Sequence, residues 1–312
     1  MSELKIESIQ FDSAYVGQKC AGFLFYDPDC APRFVLQITH GMCEYIMRYR
    51  PFAEFMVKNG AAVCGNDDLG HGATSGDSGT DGFFAPADGR RFVLEDIHTM
   101  NRIAHERWPG VPVLLMGHSM GSFFARWYST VYPDTIDAAL YCGTGGPNPA
   151  IDVAIGLTAL IGKVKGPRHV SGLVQNMAFG SYQSRIPAAK TEYDWLSVDA
   201  DNVQAYLADP KCGFLFTVSA MHELFCVVKE VSSEQWAGKV PQVPVLVFAG
   251  EEDPVGDYGK GPKTVYQRLR GTGHTAAQLK LYPGLRHEIL NEIGKESVWQ
   301  DVWKFCAAAA NI

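Results

Sequence analysis

Apolar and polar positions alternate over residues 4–11, and a mostly apolar run follows at 20–26. Side chains of a strand point alternately to its two faces, so both stretches predict strands, an antiparallel pair opening the chain. Residues 33–39 (RFVLQIT) predict a third strand, which ends at His40-Gly41. The period then changes. Phe52, Phe55 and Met56 recur at spacings of three and four, which predicts a helix over 48–58 that Asn59-Gly60 stops. A short buried strand at 61–64 leads into the polar, Gly-rich run NDDLGHGATSGDSG. Ile97, Met100, Ile103 and Ala104 form one stripe of a helix over 91–108, closed by Pro109-Gly110. A strand at 112–116, a helix at 122–131 and a strand at 136–141 complete the pattern. Strands alternating with helices predict a mostly parallel sheet covered on both faces.

The alternation breaks at Gly143. Residues 151–164, 198–207 and 215–228 predict helices with no strand between them. Strand character resumes at 244–249 (PVLVFA), followed by a helix over 258–270, a strand at 278–282 and a closing helix over 293–309. The expected organisation is an α/β core of residues 1–143 and 239–312, with a helical cap of residues 144–238. Ligands of open α/β sheets bind beyond the carboxyl ends of the strands, where such an insert would cover them. Two stretches of the insert, 151–164 and 212–228, are apolar nearly all round. Burial is the default for such helices. Set over the strand ends, they would enclose an apolar tunnel, and the cap would offer a surface for peripheral contact with lipid.

Composition narrows the classes of function. The chain has 312 residues, is 46% hydrophobic and carries a net charge of -7. It can bury a large core, and its charge argues against a nucleic-acid partner, which calls for a basic face. Eight cysteines are scattered without a C-x-x-C pair, so free thiols in a reducing compartment are expected. The start MSELKIESIQ has no secretory pattern, and no apolar run reaches the roughly 18 residues of a membrane span, so a soluble cytoplasmic protein is expected.

The candidate chemistry lies between the strand at 112–116 and the helix at 122–131. Residues 117–121 read GHSMG. In a strand–turn–helix context, G-x-S-x-G places its serine, here Ser119, on a tight elbow with the hydroxyl exposed. Larger side chains at Gly117 and Gly121 would crowd that elbow. A serine hydroxyl needs a base beside it, and the base needs an acid to fix its tautomer. The chain order for this context is Ser, then acid, then His. Asp253, in EEDPVGD after the strand at 244–249, is the first choice of acid, with Glu251, Glu252 and Asp257 as rivals. His287, in YPGLRHE after the last strand, is the expected base; His274 precedes that strand, at the wrong end. His118 is held beside Ser119 with its ring directed away from the hydroxyl, as a pocket wall. His40 and His71, in Gly-containing turns, are expected to satisfy backbone groups. The oxyanion would be held by the backbone N–H groups of Met120 and of Met42, in the loop after the third strand. No H-E-x-x-H or comparable ligand spacing occurs, so neither a metal nor another cofactor is expected.

Taken together, HGMCEYIMRY, DLGHGATS, GHSMGS, EEDPVG and YPGLRHE resemble the monoacylglycerol lipase and lysophospholipase branch of the α/β-hydrolases, of serine aminopeptidase S33 type. The resemblance runs over most of the chain, including AYLADP in the insert. It implies the α/β-hydrolase fold, a Ser119–Asp253–His287 triad and a small-molecule acyl ester as substrate. It also implies that Glu44, Arg48 and the cap residue Tyr206 line a polar head-group pocket. Read without it, Glu44 and Arg48 are an i,i+4 surface ion pair. Tyr45 and Ser122 depart from the family's pattern, which has histidine and glycine there. A serine esterase acting on single-chain lipid esters is expected first. An amidase or aminopeptidase on the same triad, a short-chain carboxylesterase, and a non-catalytic binding protein remain the alternatives.

Overall fold

A computed structural model of the protein describes residues 4–76 and 79–311. Residues 1–3 of the start, with Asp77 and Ser78 of the polar run, lie outside them.

The strands β1 (Lys5–Asp12), β2 (Lys19–Tyr26), β3 (Val35–Thr39), β4 (Ala62–Asn66), β5 (Val113–His118), β6 (Ala138–Cys142), β7 (Val245–Gly250) and β8 (Ala277–Tyr282) form one sheet. Their order across it is β1-β2-β4-β3-β5-β6-β7-β8. The first two strands are the antiparallel pair that their alternation predicts, and β2 joins β4 antiparallel. From β4 to β8 all neighbours are parallel. The helices are α1 (Arg50–Lys58), α2 (Gly72–Ser75), α3 (Gly89–Arg107), α4 (Met120–Val131), α5 (Ile151–Lys165), α6 (Gly172–Phe179), α7 (Ala200–Ala208), α8 (Val218–Val231), α9 (Lys260–Gly271) and α10 (Lys295–Ala309).

Every residue of β5 is buried, because helices cover both faces of the sheet. Its side chains still sort by parity. Leu114 and Met116 pack with Phe52 and Met56 of α1 and Val302 of α10, whereas Leu115 faces Ile97 of α3 and Phe124 of α4. The chain leaves β3 toward β4 on one side and returns as β5 on the other. Loops after β3 and β5 therefore meet at a topological switch point, the usual place for a ligand crevice.

The insert departs from its expected form in three ways. Helix α8 begins at Val218, because the Thr217 hydroxyl caps it by accepting from the Ala220 N–H; the preceding apolar residues are not helical. Helix α6, capped by Ser171, has no apolar period that predicts it. Burial divides the two apolar segments. Met221, Leu224, Val227 and Val231 of α8 join the core that α4 builds. In α5 only Ala154 and Thr158 are buried, while Val153 and Val164 are 70% and 73% exposed. The expectation of burial fails for α5 because it packs mainly along α8, which leaves much of its apolar surface uncovered.

Candidate active site

Ser119 sits between β5 and α4 at φ 53° and ψ −120°, a conformation that costs a side-chain-bearing residue energy. The elbow survives because its surroundings fix it. The Ser119 N–H donates to the Cys142 carbonyl (3.0 Å), and the Ser122 hydroxyl donates to the Ser119 carbonyl (2.6 Å). A Cβ on Gly117 would run into the backbone of Gly121, and one on Gly121 into the carbonyl of Thr39. Both glycines are thus needed for close approach, and Ser122 adds a bond that glycine could not.

Asp253 follows β7 and His287 follows β8. Asp253 Oδ2 lies 2.9 Å from His287 Nδ1, and both residues are buried. This pairing leaves the other ring nitrogen to face a substrate. The rival acids do not reach the ring: Glu251 and Glu252 are exposed, and Asp257 pairs with Lys260 at 3.0 Å. His274 holds the loop before β8, its ring between the Leu269 and Val240 carbonyls. Gly143 packs so closely on His287 that a Cβ there would meet the ring at 3.1 Å.

The loop after β3 is fixed by two histidines. His71 Nε2 accepts from the Cys43 N–H (3.2 Å), which requires its Nδ1 to donate to the Leu69 carbonyl (3.0 Å). His40 Nε2 likewise accepts from the Asp68 N–H (3.0 Å), and its Nδ1 donates to the Gly41 carbonyl (2.7 Å). Burial pushes His71 well below the ordinary histidine range and keeps it a neutral acceptor. These two rings satisfy backbone groups, as their turns predict. The N–H groups flanking Met42 are taken, by Glu44 and His71, while that of Met42 has no partner among the described residues. Met42 and Met120, at the start of α4, line the same cavity as Ser119.

Glu44 and Arg48 are paired at 2.8 Å, but not on the surface. Glu44 accepts from the Gly41 N–H (2.6 Å), Tyr49 hydroxyl (2.7 Å) and His118 Nδ1 (3.1 Å) as well. Arg48 also makes a bidentate bond to Glu288, at 2.7 and 2.8 Å, and its guanidinium lies over the Tyr206 ring. Burial raises the Glu44 carboxyl, but the His118 and Arg48 contacts outweigh it and hold the group well below the usual carboxylate range. Glu44, His118, Tyr206 and Glu288 line the cavity, whereas Arg48 stands behind them.

The serine aminopeptidase, S33, family matches residues 31–294. The chain belongs to that family. It is 28% identical over 280 residues to a monoacylglycerol lipase of Mycolicibacterium smegmatis, covering 89% of each chain. It is 24% identical to the human monoglyceride lipase, over 86% of this chain and 80% of that one. A crystal structure of a highly thermostable carboxyl esterase from Bacillus coagulans, in complex with glycerol, superposes with a TM-score of 0.93 at 29% identity, over 99% of this chain and 100% of that one. The fold is the α/β-hydrolase fold.

In this S33-family chain the cavity over Ser119 measures about 960 Å³, at the upper end of small-molecule pockets. One wall is the stripe Met221, Leu224, Phe225 and Val228 of α8, at helical spacing. The polar cluster of Glu44 and Glu288 also lines the cavity. Trp195 lies over the His287 ring at 5.2 Å and meets Tyr182 edge-on. The segment carrying Trp195 is bound to the loop of His287. The Glu288 N–H donates to the Leu196 carbonyl (2.7 Å), and Glu292 accepts from the Ser197 hydroxyl and the Val198 N–H. Sequence reasoning misses Glu288, Glu292 and Trp195. Glu288 adjoins His287 in the chain, but its partner lies 240 positions away. Among the described residues no cluster of His, Cys, Asp and Glu is arranged to hold a metal, and no helix is long and apolar enough to cross a membrane.

Proposed function

We propose that this ester-cleaving serine hydrolase acts on esters of single-acyl-chain lipids, of monoacylglycerol or lysophospholipid type. The observation that carries this reading is the mixed lining of the cavity at Ser119: an apolar stripe of α8 together with the polar cluster of Glu44, Tyr206 and Glu288. The acyl chain runs along Met221, Leu224, Phe225 and Val228, and the alcohol lies toward Glu44, Tyr206 and Glu288. Residues 144–238 act as the cap, rooted in the core through α8.

Ser119 Oγ attacks the acyl carbonyl while His287 takes its proton, and Asp253 fixes the imidazole and stabilises its charged form. The N–H groups of Met42 and Met120 hold the oxyanion. Collapse expels the alcohol, which receives the proton from His287. Water then repeats the sequence on the acyl-enzyme and releases the fatty acid. An aminopeptidase would need a free carboxylate for the substrate amine. Glu44 already accepts from four donors, so the reading favours esters. Six buried free thiols support a reducing compartment, the cytoplasm. Exposed Val153, Leu160, Val164 and Leu173 support peripheral contact of the cap with lipid.

The test is kcat/KM on p-nitrophenyl esters of two to sixteen carbons, alongside the matching anilides. Each buried methylene is worth about 0.8 kcal/mol, roughly fourfold, so efficiency climbs from acetyl until the cavity fills. A steady fall from acetyl would replace the lipid reading with a short-chain esterase; preference for anilides would replace it with an amidase.

A further inference from the structure

His118 precedes the nucleophile, yet its ring is buried and turned toward two other parts of the site. Its Nδ1 lies 3.1 Å from Glu44 Oε1, and its Nε2 lies 3.3 Å from the backbone carbonyl of His287. Both neighbours are acceptors. A neutral imidazole has one donor and one bare nitrogen, so either tautomer would set a lone pair against an oxygen. Only the doubly protonated ring satisfies both contacts. A proton on Glu44 is no substitute, because Gly41, Tyr49 and Arg48 already donate to that carboxylate.

The charge count agrees. The buried cluster holds two carboxylates, Glu44 and Glu288, and one guanidinium, Arg48. With His118 neutral it would carry a net charge of about −1 away from water, a costly arrangement; with His118 charged it balances. Three further groups face the ring. They are the Tyr49 ring at 6.3 Å, the Cys142 thiol on the adjacent strand, held neutral by burial, and the His287 ring at 4.7 Å. Burial alone would lower the His118 pKa, but the hydrogen bond and charge of Glu44 outweigh it and raise it.

We propose that His118 is a buried imidazolium that positions the active site by tying the loop of the base to the oxyanion loop. One N–H holds the His287 carbonyl. The other holds Glu44, which in turn holds the Gly41 N–H, one residue before Met42. Because His118 adjoins Ser119, a single ring fixes all three catalytic segments relative to one another. It takes no part in moving the proton of Ser119. Its effect on turnover rests on the esterase reading above; its charge does not.

Long-range 1H–15N spectra of histidine-labelled protein, with His118 assigned by loss of its signals in His118→Asn, test the charge directly. At pH 8 an ordinary histidine, with a pKa of about 6.5, is almost wholly neutral. His118 should still show two protonated nitrogens there, and in Glu44→Gln, where burial is no longer outweighed by that carboxylate, it should show a bare nitrogen at the same pH. A bare nitrogen at pH 8 in the unaltered protein would overturn the proposal. For the positioning role, His118→Asn should lower kcat on the order of 10²-fold with little change in KM, as misplacement of reacting groups does, and Glu44→Gln should lower kcat as far. The double variant should lose no more than either alone, since both break one link. Losses in kcat that multiply, or a loss in His118→Asn that falls on KM, would contradict the role. If His118→Asn does not fold, the spectra of Glu44→Gln still decide the charge. Absence of ester turnover in the unaltered protein would remove the esterase reading and leave the spectroscopic result standing.

Discussion

The two walls of the cavity are built by different physics. On the core side the polar groups are held by directional bonds: His40 and His71 hold the loop of Met42, Asp253 holds His287, and Glu44 accepts from four donors. These groups stand at or beyond the ends of β3, β4, β5, β7 and β8, so the sheet sets their spacing. On the cap side the lining is mostly apolar and undirected, and α5 turns much of its apolar surface to solvent. The difference separates two tasks. On the reading proposed above, directional bonds at the strand ends fix where charge develops, while an apolar wall sets how much chain is accepted and tolerates change in shape. Substitutions on the core side should strike kcat, and those on the cap side should change the choice of substrate.

The comparison breaks first if the largest effects do not lie on the core side. Ser119→Ala and His287→Ala should each lower kcat on the order of 10⁶-fold without loss of folded protein, because triad members act as a unit. Stopped assays together with thermal melts check this. Next, Asp253→Asn should cost on the order of 10⁴-fold in kcat by favouring the wrong tautomer of His287, with KM nearly unchanged. Asp257→Asn should be nearly silent, and the reverse ranking would move the acid.

A cap-side change sharpens the contrast. Leu224→Trp narrows the apolar wall, so the preferred acyl chain should shorten by several carbons while turnover of acetyl esters stays within about threefold, as expected for a change that leaves the transition-state contacts alone. Loss of turnover on every ester alike would mean that α8 positions the reacting groups.

The smallest effect concerns stability beneath the oxyanion loop. Burial pushes the Asp68 carboxyl up to about 7, and its Oδ2 has no hydrogen-bond partner. Its unfolded value is near 4, so the folded state retains a proton that the unfolded state has released between these limits. The resulting stability is complete below about pH 4 and is lost as pH rises through 7. Asp68→Asn removes that loss, and should stabilise the protein by roughly 2–4 kcal/mol more at pH 8 than at pH 4. Urea titrations at the two pH values measure it; equal effects at both would show that Asp68 does not titrate in this way.

The parts legible in the sequence are those that local pattern carries. Strand parity and helix period give the sheet and its covering helices, and the strand–elbow–helix context picks out Ser119. Asp253 follows from its offset from β7, and His287 from its place after β8. What is not legible depends on distant partners. Glu44 and Arg48 look like a surface pair because nothing near them reveals Glu288. Trp195 lies in an irregular segment where no period marks it, although it covers the ring of the base. Helices α5 and α8 look alike in composition, and only their packing separates them, α8 against α4 and α5 against α8.

The most direct test of the central claim is to trap the acyl-enzyme. Intact protein treated with a long-chain fluorophosphonate should gain one adduct, which peptide mass spectrometry should locate on Ser119; Ser119→Ala should gain none. An adduct on another residue, or labelling of Ser119→Ala at the rate of the unaltered protein, would contradict the account.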